Sequence, residues 1–560
     1  MEKITLNSKN VLFVGWGVEN PNDTYMHQIY YTLLKKIFPK LDVFDSKKNY
    51  LQVGKNKMNS LFLNKIKAKN YDLILFAFES DEFYPQTLEK VKIFCPHTKS
   101  VIIICDDDAR FDSWSRYMSL FFDYVITSQD FLNEYKKEKI KAFFHLDYNL
   151  TELVPIKTEK IYDVTFIGRP KADRNEVIKY LLDNGIKVTL FGWDWYKYPE
   201  FARVYKGPLN QKDYAKVINQ SKINLSPAKA GYTEQRNQYN MKGRYFEVAL
   251  CKSFQLIEKF PTLLKFFNEK EIGMYTSQED MLKKIKYYLS HDKEREKIAE
   301  KAYKKTINEY NREKQLISIF KNIFSNKKNK ISLPKISSKI ITITKKDFSS
   351  NLMEKIKDYD YIAFKNKNLR DSSNLKNYFL LRALQVTNKP ISCCDYYVSS
   401  FIIKNYMVFS SKFSFKRIGN EASKFIDINQ LMVKKDYFLN NLNAFKNLIK
   451  RKQSSLINEE NTSFVSIPLI SVKKINNSKY KEIKKAFEFR FQNELFSLMY
   501  QKKLLFDKYP YMLIIKSLMG NSFILKYLFE MYKDKSNLDK LLANEDYIKN
   551  SSIERLRKKN

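Results

Sequence analysis

The stretch that decides the fold is residues 223–258, INLSPAKAGYTEQRNQYNMKGRYFEVALCKSFQLIE. It begins with an apolar run, 223–225, that stops at Ser226-Pro227, because proline has no N–H and cannot continue a strand ladder. A polar, cationic loop follows, and an apolar helical pattern begins at Tyr245. This order predicts a strand, a loop that wraps an anionic ligand and a helix, placed at the carboxyl end of a strand in a parallel sheet.

The residues at the start of this helix are candidates for binding a diphosphate. Lys242 and Arg244 are positively charged, and we expect them to act together with the first helical amides on one negative group. Glu247, one turn further, can accept hydrogen bonds from sugar or ribose hydroxyls. Ser226, at the end of the strand, is a further candidate for binding the same ligand. The alternative is an ordinary loop whose Arg and Glu form a surface ion pair that contributes little.

A second pattern of strand and glycine precedes this stretch. Residues 163–167 form a strand pattern ahead of Gly168 and Arg169, where glycine allows the backbone to approach a phosphate and arginine can neutralise it. The next strand pattern, 187–191, stops at Gly192-Trp193. Trp193 could stack on a nucleotide base or pack between domains.

The first part of the chain shows the same alternation. Residues 11–14 form a buried strand pattern that runs into Gly15-Trp16-Gly17, and a helical pattern over 26–38 follows. Alternating strands and helices imply a parallel sheet with right-handed crossovers. Further strands are predicted at 41–44, 71–78, 101–105 and 124–127, with helices between them at 86–94 and 128–137.

The sequence from the second pattern onward resembles the nucleotide-sugar half of CgeB-like glycosyltransferases. This resemblance lies in Lys242-Gly243-Arg244-Tyr245-Phe246-Glu247, in the run 254–258 and in Tyr275-Thr276-Ser277-Gln278-Glu279-Asp280-Met281. With the N-terminal part included, the resemblance to the family covers about residues 8–325. Two positions depart from the family pattern. Lys252-Ser253 stands where a glycine is usual, and Tyr239 replaces the first Glu of the Glu-x7-Glu pair of many retaining relatives, which leaves the stereochemistry of transfer open.

The resemblance implies an α/β chain with the GT-B fold, in which two Rossmann-like domains face each other across a cleft. The sugar donor, a UDP- or GDP-linked nucleotide-sugar, would lie mainly on the second domain, and the acceptor would enter from the first. No cofactor is required, because a helix dipole and Arg or Lys side chains can stabilise the departing diphosphate.

An inverting transferase needs a carboxylate or a histidine that takes the proton of the acceptor hydroxyl. The run Asp106-Asp107-Asp108 follows a predicted strand, where CgeB-like families also place an Asp, and Asp106 and Asp107 are candidates for this base. His27, in the helix after the glycine turn, is a rival candidate. The three acids could instead hold a divalent cation or form a solvated turn, and His27 could be a helix residue that touches solvent.

The sequence predicts three domains. Residues 1–155 form the acceptor-side Rossmann-like domain, 156–325 the nucleotide-sugar domain and 335–560 an accessory domain after a linker rich in Lys, Asn and Ser. The accessory domain faintly resembles GT-A transferases at its start, but Asn366-Lys367-Asn368 replaces their metal-binding Asp-x-Asp motif. We therefore predict a unit for acceptor binding or assembly. It ends in helical patterns over 482–533 that could lie on an anionic membrane leaflet or pack as core helices.

Composition and charge limit the partners. The 560 residues are 44% apolar and carry a net charge of +38, which favours an anionic partner. Nucleic acid is disfavoured, because the basic residues are scattered rather than gathered with aromatic residues. Neither the five cysteines nor the four histidines show metal-ligand spacing. Without a signal peptide or an apolar run of membrane-spanning length, we expect a cytoplasmic protein, with a peripheral position at the inner face of the membrane as an alternative.

The resemblance and the charged loop together predict a glycosyltransferase. It would move a sugar from a nucleoside diphosphate to a bacterial surface glycan, a lipid-linked precursor or a protein. The alternative is a non-catalytic scaffold that binds a polyanion or a glycan and is built on transferase domains, since a fold does not fix a function.

Overall fold

The computed structural model contains three α/β units, each built around one β-sheet. The residues that it describes are 5–15, 17–18, 24–78, 81–105, 107–148, 153–170, 173–193, 195, 198–229, 239, 241–326, 338–348, 351–365, 369–371, 375–398, 406–408, 426, 428–449, 456–458 and 460–472. Within these ranges, none of the helices combines the length and the apolar character that crossing a bilayer requires.

The first unit contains a sheet of six strands, and every neighbouring pair is parallel. The strands are β1 (Val11–Gly15), β2 (Leu41–Asp45), β3 (Leu73–Ala77), β4 (Lys99–Ile104), β5 (Tyr124–Thr127) and β6 (Ala142–Phe144). They lie in the order β2-β1-β3-β4-β5-β6. The residues of β1 and β3 are all buried, as expected for central parallel strands that are covered on both faces.

Helices connect the strands of the first unit, and the longest, α2 (Ser46–Ala68), is one whose bounds the sequence analysis does not give. This helix, α2, is rich in Lys and Asn and is interrupted by Gly54, whose φ is 77°. It begins where the Asp45 carboxylate accepts a hydrogen bond from the Lys48 amide, and it buries an apolar stripe at helical spacing. The helices are α1 (Thr32–Ile37), which continues a π-helical segment (Thr24–Tyr31), α2 (Ser46–Ala68), α3 (Pro85–Phe94), α4 (Asp107–Arg110), α5 (Arg116–Met118) and α6 (Leu132–Lys137).

The second unit contains a sheet of five parallel strands. The strands are β7 (Tyr162–Ile167), β8 (Val188–Phe191), β9 (Ser221–Ser226), β10 (Gln255–Glu258) and β11 (Gly273–Tyr275), and the order is β11-β10-β9-β7-β8. The predicted strand end at Ser226-Pro227 is therefore the carboxyl end of the central strand. The helices are α7 (Arg174–Asp183), α8 (Gln211–Gln220), α9 (Arg244–Leu250), α10 (Gln278–Leu289) and α11 (Asp292–Glu309).

A further helix, α12 (Arg312–Ser325), follows the second unit in sequence but packs on the first. Its apolar face shares a buried cluster with residues of β1 and α1. The Phe320 ring, for example, meets the Phe38 ring edge-on with centroids 4.9 Å apart. The two parallel-sheet units are thus joined both by the connecting chain and by this helix.

The third unit contains a sheet of mixed strand directions. The strands are β12 (Ile340–Ile343), β13 (Tyr361–Phe364), β14 (Leu369–Asp371), β15 (Ile391–Val398), β16 (Tyr406–Val408), β17 (Leu431–Lys434) and β18 (Thr462–Val472), and the helices are α13 (Leu352–Ile356), α14 (Lys376–Thr387), α15 (Lys435–Asn440) and α16 (Leu442–Ile449). The order is β12-β13-β17-β15-β18-β14, with β16 beside β15. Both Asn366-Lys367-Asn368 and the helical patterns over 482–533 lie outside the described residues.

The third unit shares a hydrophobic core with the first. The Phe379 ring on α14 lies 5.6 Å from the Tyr117 ring and 5.8 Å from the Phe121 ring, centroid to centroid. On the same helix, Arg382 donates two hydrogen bonds to the Glu138 carboxylate, which also pairs with Arg116. A joint apolar core with an ion cluster at its edge fixes the third unit to the first.

The prediction of two Rossmann-like units, the architecture of the GT-B fold, is confirmed by the two parallel sheets. The additional α/β unit is also present as a separate mixed sheet. All five cysteines are free thiols, and four of them are buried.

Arg312, the first residue of α12, binds carbonyls of the first unit and of the chain that connects the two parallel-sheet units. Its guanidinium donates to the carbonyl of Ile29 in the first unit at 3.0 Å. It also donates to the carbonyls of Leu146 and Tyr148, in the chain that leaves the first unit, at 2.9 Å and 2.5 Å. Only 1% of Arg312 is exposed to solvent, so these carbonyls depend on it.

His145 gives the fold a pH dependence. The imidazole is buried, and neither ring nitrogen has a hydrogen-bond partner among the described residues. Burial, followed by the positive charge of Arg312, lowers the pKa of His145 well below its ordinary value. As the pH falls below about 6.5, the unfolded chain takes up a proton that the folded chain cannot, so the stability present at neutral pH is progressively lost.

Between pH 6.5 and 5.5 we expect the free energy of unfolding of the wild type to fall by about 1 kcal/mol more than that of His145→Gln. Urea unfolding of both proteins at several pH values measures this difference. The exposed His97 provides the control, because His97→Gln should leave the pH slope of the wild type unchanged. Identical slopes for His145→Gln and the wild type would contradict the prediction.

Candidate functional site

The candidate site lies at the carboxyl edge of the second sheet, where Gly168 and Arg244 meet. A Cβ atom on Gly168 would lie 3.3 Å from Nη2 of Arg244, so the guanidinium covers the glycine directly. The guanidinium also lies 5.8 Å from the centre of the Phe166 ring. Nε of Arg244 is buried and has no partner in the described part of the chain. Two residues that the sequence analysis singled out separately are therefore in contact.

Gly243 explains how α9 can start at this place. A Cβ atom at this position would lie 2.1 Å from the carbonyl oxygen of Asp147, in the chain that connects the two units. Only glycine allows this close approach. The helix that follows has seven residues, so we assign the electrostatics of the site to its side chains rather than to a helix dipole.

Lys242 lies at the centre of the charged groups. Its Nζ donates to the carbonyl of Pro227 at 2.6 Å. Burial lowers the pKa of Lys242 well below its ordinary value, and the positive charges of Arg174 and Arg244 lower it further. The negative charges of Glu258 and Asp108 oppose this change in pKa. Lys242 therefore lies within electrostatic range of two further cations and of two carboxylates.

Arg174 at the start of α7 completes the cationic group. Nη1 of Arg174 donates to the carbonyl of Arg169 at 2.7 Å and so holds the backbone after Gly168. The guanidinium of Arg174 lies 5.5 Å from the centre of the Phe166 ring, which Arg244 also contacts. The side chain of Arg169 itself is half-buried.

Glu247 is held in place by Tyr214, a residue that the sequence analysis missed. The Tyr214 hydroxyl on α8 donates to Oε2 of Glu247 at 2.7 Å. Burial and the charge of Glu247 raise the pKa of Tyr214 well above its ordinary value, so the hydroxyl stays a donor. The positive charge of Arg244 opposes this rise in the pKa of Tyr214, so the predicted cation and carboxylate both lie near one phenol.

The strand end after β8 carries two tryptophans with different environments. Trp195 is buried, and its Nε1 donates to the carbonyl of Gly168 at 2.6 Å. Gly192 has a φ of 119°, and a Cβ atom there would lie 2.4 Å from the same carbonyl oxygen. Trp193, which lies between Gly192 and Trp195 in the sequence, is half-buried. Trp195 is thus the tryptophan that packs in the core, whereas Trp193 is only half-buried.

Ser226 ends β9 beside this group. The residue is 1% exposed, and its Oγ has no hydrogen-bond partner among the residues described. A buried hydroxyl without a partner is costly, so a ligand or a water molecule at this edge would stabilise it.

The acidic run of the first unit is only partly described. Asp106 lies outside the described residues. Asp107 is fully buried and accepts hydrogen bonds from the hydroxyls of Thr127 at 2.6 Å and Tyr135 at 2.9 Å. Burial raises the pKa of Asp107 to about 6, against the lowering effect of these hydrogen bonds. This geometry indicates that Asp107 positions its neighbours, and it is the half-buried Asp108 that lies within electrostatic range of Lys242.

His27 is fixed by the glycine turn that precedes it. Its Nδ1 donates to the carbonyl of Val18 at 2.7 Å, which leaves the lone pair on Nε2. The ring also packs on Tyr31, with centroids 4.9 Å apart. His27 thus keeps a nitrogen that can accept a proton.

Gln129, which the sequence analysis also missed, joins the two parallel-sheet units beside this site. Its side-chain amide donates to the carbonyl of Met241 and accepts from the amide of Met241, both at 3.1 Å. Next to it, Asp130 pairs with Lys265 at 2.6 Å. Because Met241 adjoins Lys242, these contacts hold the strand ends of the first unit against the cationic group of the second. Among the described residues, no three His, Cys, Asp or Glu side chains cluster as a metal site requires.

Comparison with known proteins supports one family for part of the chain. Residues 174–320 match a family model described as Glycosyl transferase-like. The matched segment includes the cations and Glu247 of the candidate site. No match was found among curated proteins.

Several solved structures are distantly similar. S. aureus TarM shares 15% sequence identity with a TM-score of 0.38, over 48% of this chain and 58% of the TarM chain. Anabaena Alr3699/HepE, solved in complex with UDP and glucose, shares 11% identity with a TM-score of 0.42, over 57% of this chain and 100% of its own. A DNA-modifying β-glucosyltransferase, solved with and without uridine diphosphoglucose, shares 14% identity with a TM-score of 0.40, over 56% and 99%. Nothing about the ligand of this chain follows from similarities at this level.

Proposed function

We propose that this chain is a glycosyltransferase that transfers a sugar from a nucleoside-diphosphate donor to an acceptor hydroxyl. One observation carries the proposal: the guanidinium groups of Arg174 and Arg244 lie 5.5 Å and 5.8 Å from the centre of the same Phe166 ring, beside Gly168, with Lys242 nearby. Such crowding of like charges is unfavourable in the empty protein, and a diphosphate placed among them relieves it. The match of residues 174–320 to a glycosyltransferase-like family supports the same conclusion.

Each residue of the site has a role in this proposal. Arg244 and Lys242 bind the diphosphate and stabilise the negative charge that develops as the bond from the anomeric carbon to the phosphate oxygen breaks. Gly168 lets the backbone approach the phosphate, with Arg169 beside it. Glu247, oriented by Tyr214, accepts hydrogen bonds from ribose or sugar hydroxyls. The roles of the remaining donor-side residues are base stacking for Trp193 and a hydrogen bond to the donor for Ser226.

The acceptor hydroxyl must lose its proton as it attacks the anomeric carbon, and the first unit supplies the candidates for this base. They are Asp106, Asp107 and His27. Of these, His27 is held with Nε2 as the proton-accepting atom. Asp107, enclosed by its hydroxyl partners, fits the role of orienting the acidic run better than that of touching the acceptor.

The acceptor is part of the proposal as a class. We propose a bacterial surface glycan, a lipid-linked precursor or a protein, of the kind handled by CgeB-like enzymes in polysaccharide biosynthesis. The net charge of +38 favours an acidic acceptor or a peripheral position on an anionic membrane at its cytoplasmic face. The third unit, fixed to the first by a shared core, would then extend the acceptor side.

Thermal unfolding in the presence of nucleotides tests the proposal. UDP, GDP, CDP and ADP, and their sugar-linked forms, are added to the full-length protein at millimolar concentration. The donor nucleotide should stabilise the protein by about 2.7 kcal/mol when its concentration is 100 times its Kd. No stabilisation by any of these compounds, combined with tight binding to a polyanion that weakens with salt, would instead support the scaffold alternative.

A further inference from the structure

A second polar group lies next to the cations, at the carboxyl ends of β10 and β11. Glu258 and Tyr275 are the last residues of these neighbouring parallel strands and are register partners. Because partners in adjacent parallel strands project to the same side of the sheet, the carboxylate and the phenol are directed to one place. Neither belongs to the set of residues that the sequence analysis proposed for the site.

The side chain of Glu258 is held in place by its neighbours. Its Oε2 accepts a hydrogen bond from the amide of Ala228 at 3.1 Å, just past Pro227. The Tyr239 phenol lies within electrostatic range of Glu258, and its ring stacks on Phe260 with ring centroids 5.2 Å apart. Glu258 is 9% exposed, so the carboxylate is held by the Ala228 amide while a small part of the residue stays accessible to a ligand.

Tyr275 shows what kind of ligand fits. The residue is 4% exposed, and its hydroxyl has no hydrogen-bond partner within the described ranges. Asp173 lies within electrostatic range of Tyr275. Its Oδ1 is also buried and has no hydrogen-bond partner among the described residues, while its Oδ2 pairs with Lys229 at 2.7 Å. A donor hydroxyl and carboxylate acceptors left open at one place are complementary to sugar hydroxyls, which both donate and accept.

The position of Glu258 and Tyr275 next to the cations indicates which part of the nucleotide-sugar they would contact. Lys242 donates to the carbonyl of Pro227 at 2.6 Å, and Glu258 accepts from the amide of Ala228 in the same peptide group at 3.1 Å, so the carboxylate adjoins the proposed diphosphate position. The sugar of a nucleotide-sugar is attached directly to the diphosphate. We propose that Glu258 and Tyr275 form the subsite that binds the hydroxyls of the transferred sugar, an inference that rests on the proposed function.

Separate measurements of nucleotide and nucleotide-sugar binding test this subsite. The full-length wild type, Glu258→Gln and Tyr275→Phe are titrated calorimetrically with UDP, GDP, UDP-glucose, UDP-N-acetylglucosamine and GDP-mannose. Glutamine can still accept from Ala228, and phenylalanine removes one oxygen only, so both variants should fold. Glu269→Gln, an exposed glutamate of the same unit, is the control.

For the nucleotide-sugar that the wild type binds, Glu258→Gln should weaken binding by about 10- to 100-fold, and Tyr275→Phe by about 3- to 10-fold. Binding of the matching free nucleotide should change by less than about twofold, since it carries no sugar. Without ligand, Tyr275→Phe should unfold at the same or a higher urea concentration, because it removes a hydroxyl that lacks a partner. A residue that only supports the fold would not give this combination.

Three results would overturn the subsite. Unchanged nucleotide-sugar affinity in both variants would show that the side chains do not touch the sugar, and the proposed function would stand. Equal losses for the nucleotide and the nucleotide-sugar would place Glu258 at the nucleotide instead. No binding of any of the five probes by the wild type would reject the proposed function and this subsite together.

Discussion

Replacing Arg244 with alanine is expected to lower kcat/KM for the donor by about 100- to 1,000-fold, the effect of removing one group that stabilises charge in a transition state. The guanidinium lies over Gly168, and its Nε is buried without a partner among the described residues, so it is ready to bind an oxyanion. Release of the nucleoside diphosphate from the nucleotide-sugar measures this effect. Affinity for the free diphosphate should fall as well, because the same group binds it.

Two further variants make this result specific. Arg244→Lys keeps the charge but loses the planar fork, so we expect an intermediate loss of about 10-fold. Arg203→Ala removes an exposed arginine from the same unit and should leave both kcat/KM and nucleotide affinity unchanged. Equal activity of Arg244→Ala and Arg203→Ala would remove Arg244 from the site, and with it the proposed binding of the diphosphate.

The part of the site that could be predicted from the sequence is the part formed by neighbours in the chain. An apolar run that stops at Ser226-Pro227 and an apolar helical pattern after Arg244 are local signals. The strand β9 ends at Ser226 and the helix α9 begins at Arg244, as these signals indicate. The parallel sheets follow from the same alternation of strand and helix. The meeting of Gly168 with Arg244 follows too, since carboxyl ends of parallel strands share one edge of a sheet.

The residues that sequence reasoning missed reach the site from distant segments. Tyr214 contacts Glu247 from the buried side of α8, and nothing in the pattern of that helix distinguishes a core tyrosine from one that orients a carboxylate. Gln129 contacts Met241 across the two units, 112 residues away in sequence. Glu258 follows the apolar pair Leu256-Ile257 at the end of a buried strand, and a charged residue there is the one signal that could have identified it.

Two further predictions show why burial is hard to infer from residue type. The strand-terminal acids suggest a base, but Asp107 is completely buried by hydroxyls that follow it by 20 and 28 residues. The tryptophan after β8 that packs in the core is Trp195 rather than Trp193. In both cases a neighbour of the same type, Asp108 or Trp193, is only half-buried, and tertiary packing decides which of the two is enclosed.

Replacing Arg312 with alanine is expected to lower the free energy of unfolding by about 3–5 kcal/mol, because three carbonyls lose a charged donor in a place that water does not reach. These carbonyls belong to Ile29, Leu146 and Tyr148, so the loss falls on the junction of the two parallel-sheet units. Urea unfolding followed by tryptophan fluorescence measures this loss.

Arg312→Lys should lose less stability, about 1–3 kcal/mol, since lysine restores the charge but cannot bind three carbonyls in the geometry of the fork. Arg203→Ala, on the surface, should change stability by less than about 0.5 kcal/mol. A loss below about 1 kcal/mol for Arg312→Ala would mean that water satisfies the carbonyls, and that the contacts of Gln129 and α12 hold the units together without this arginine.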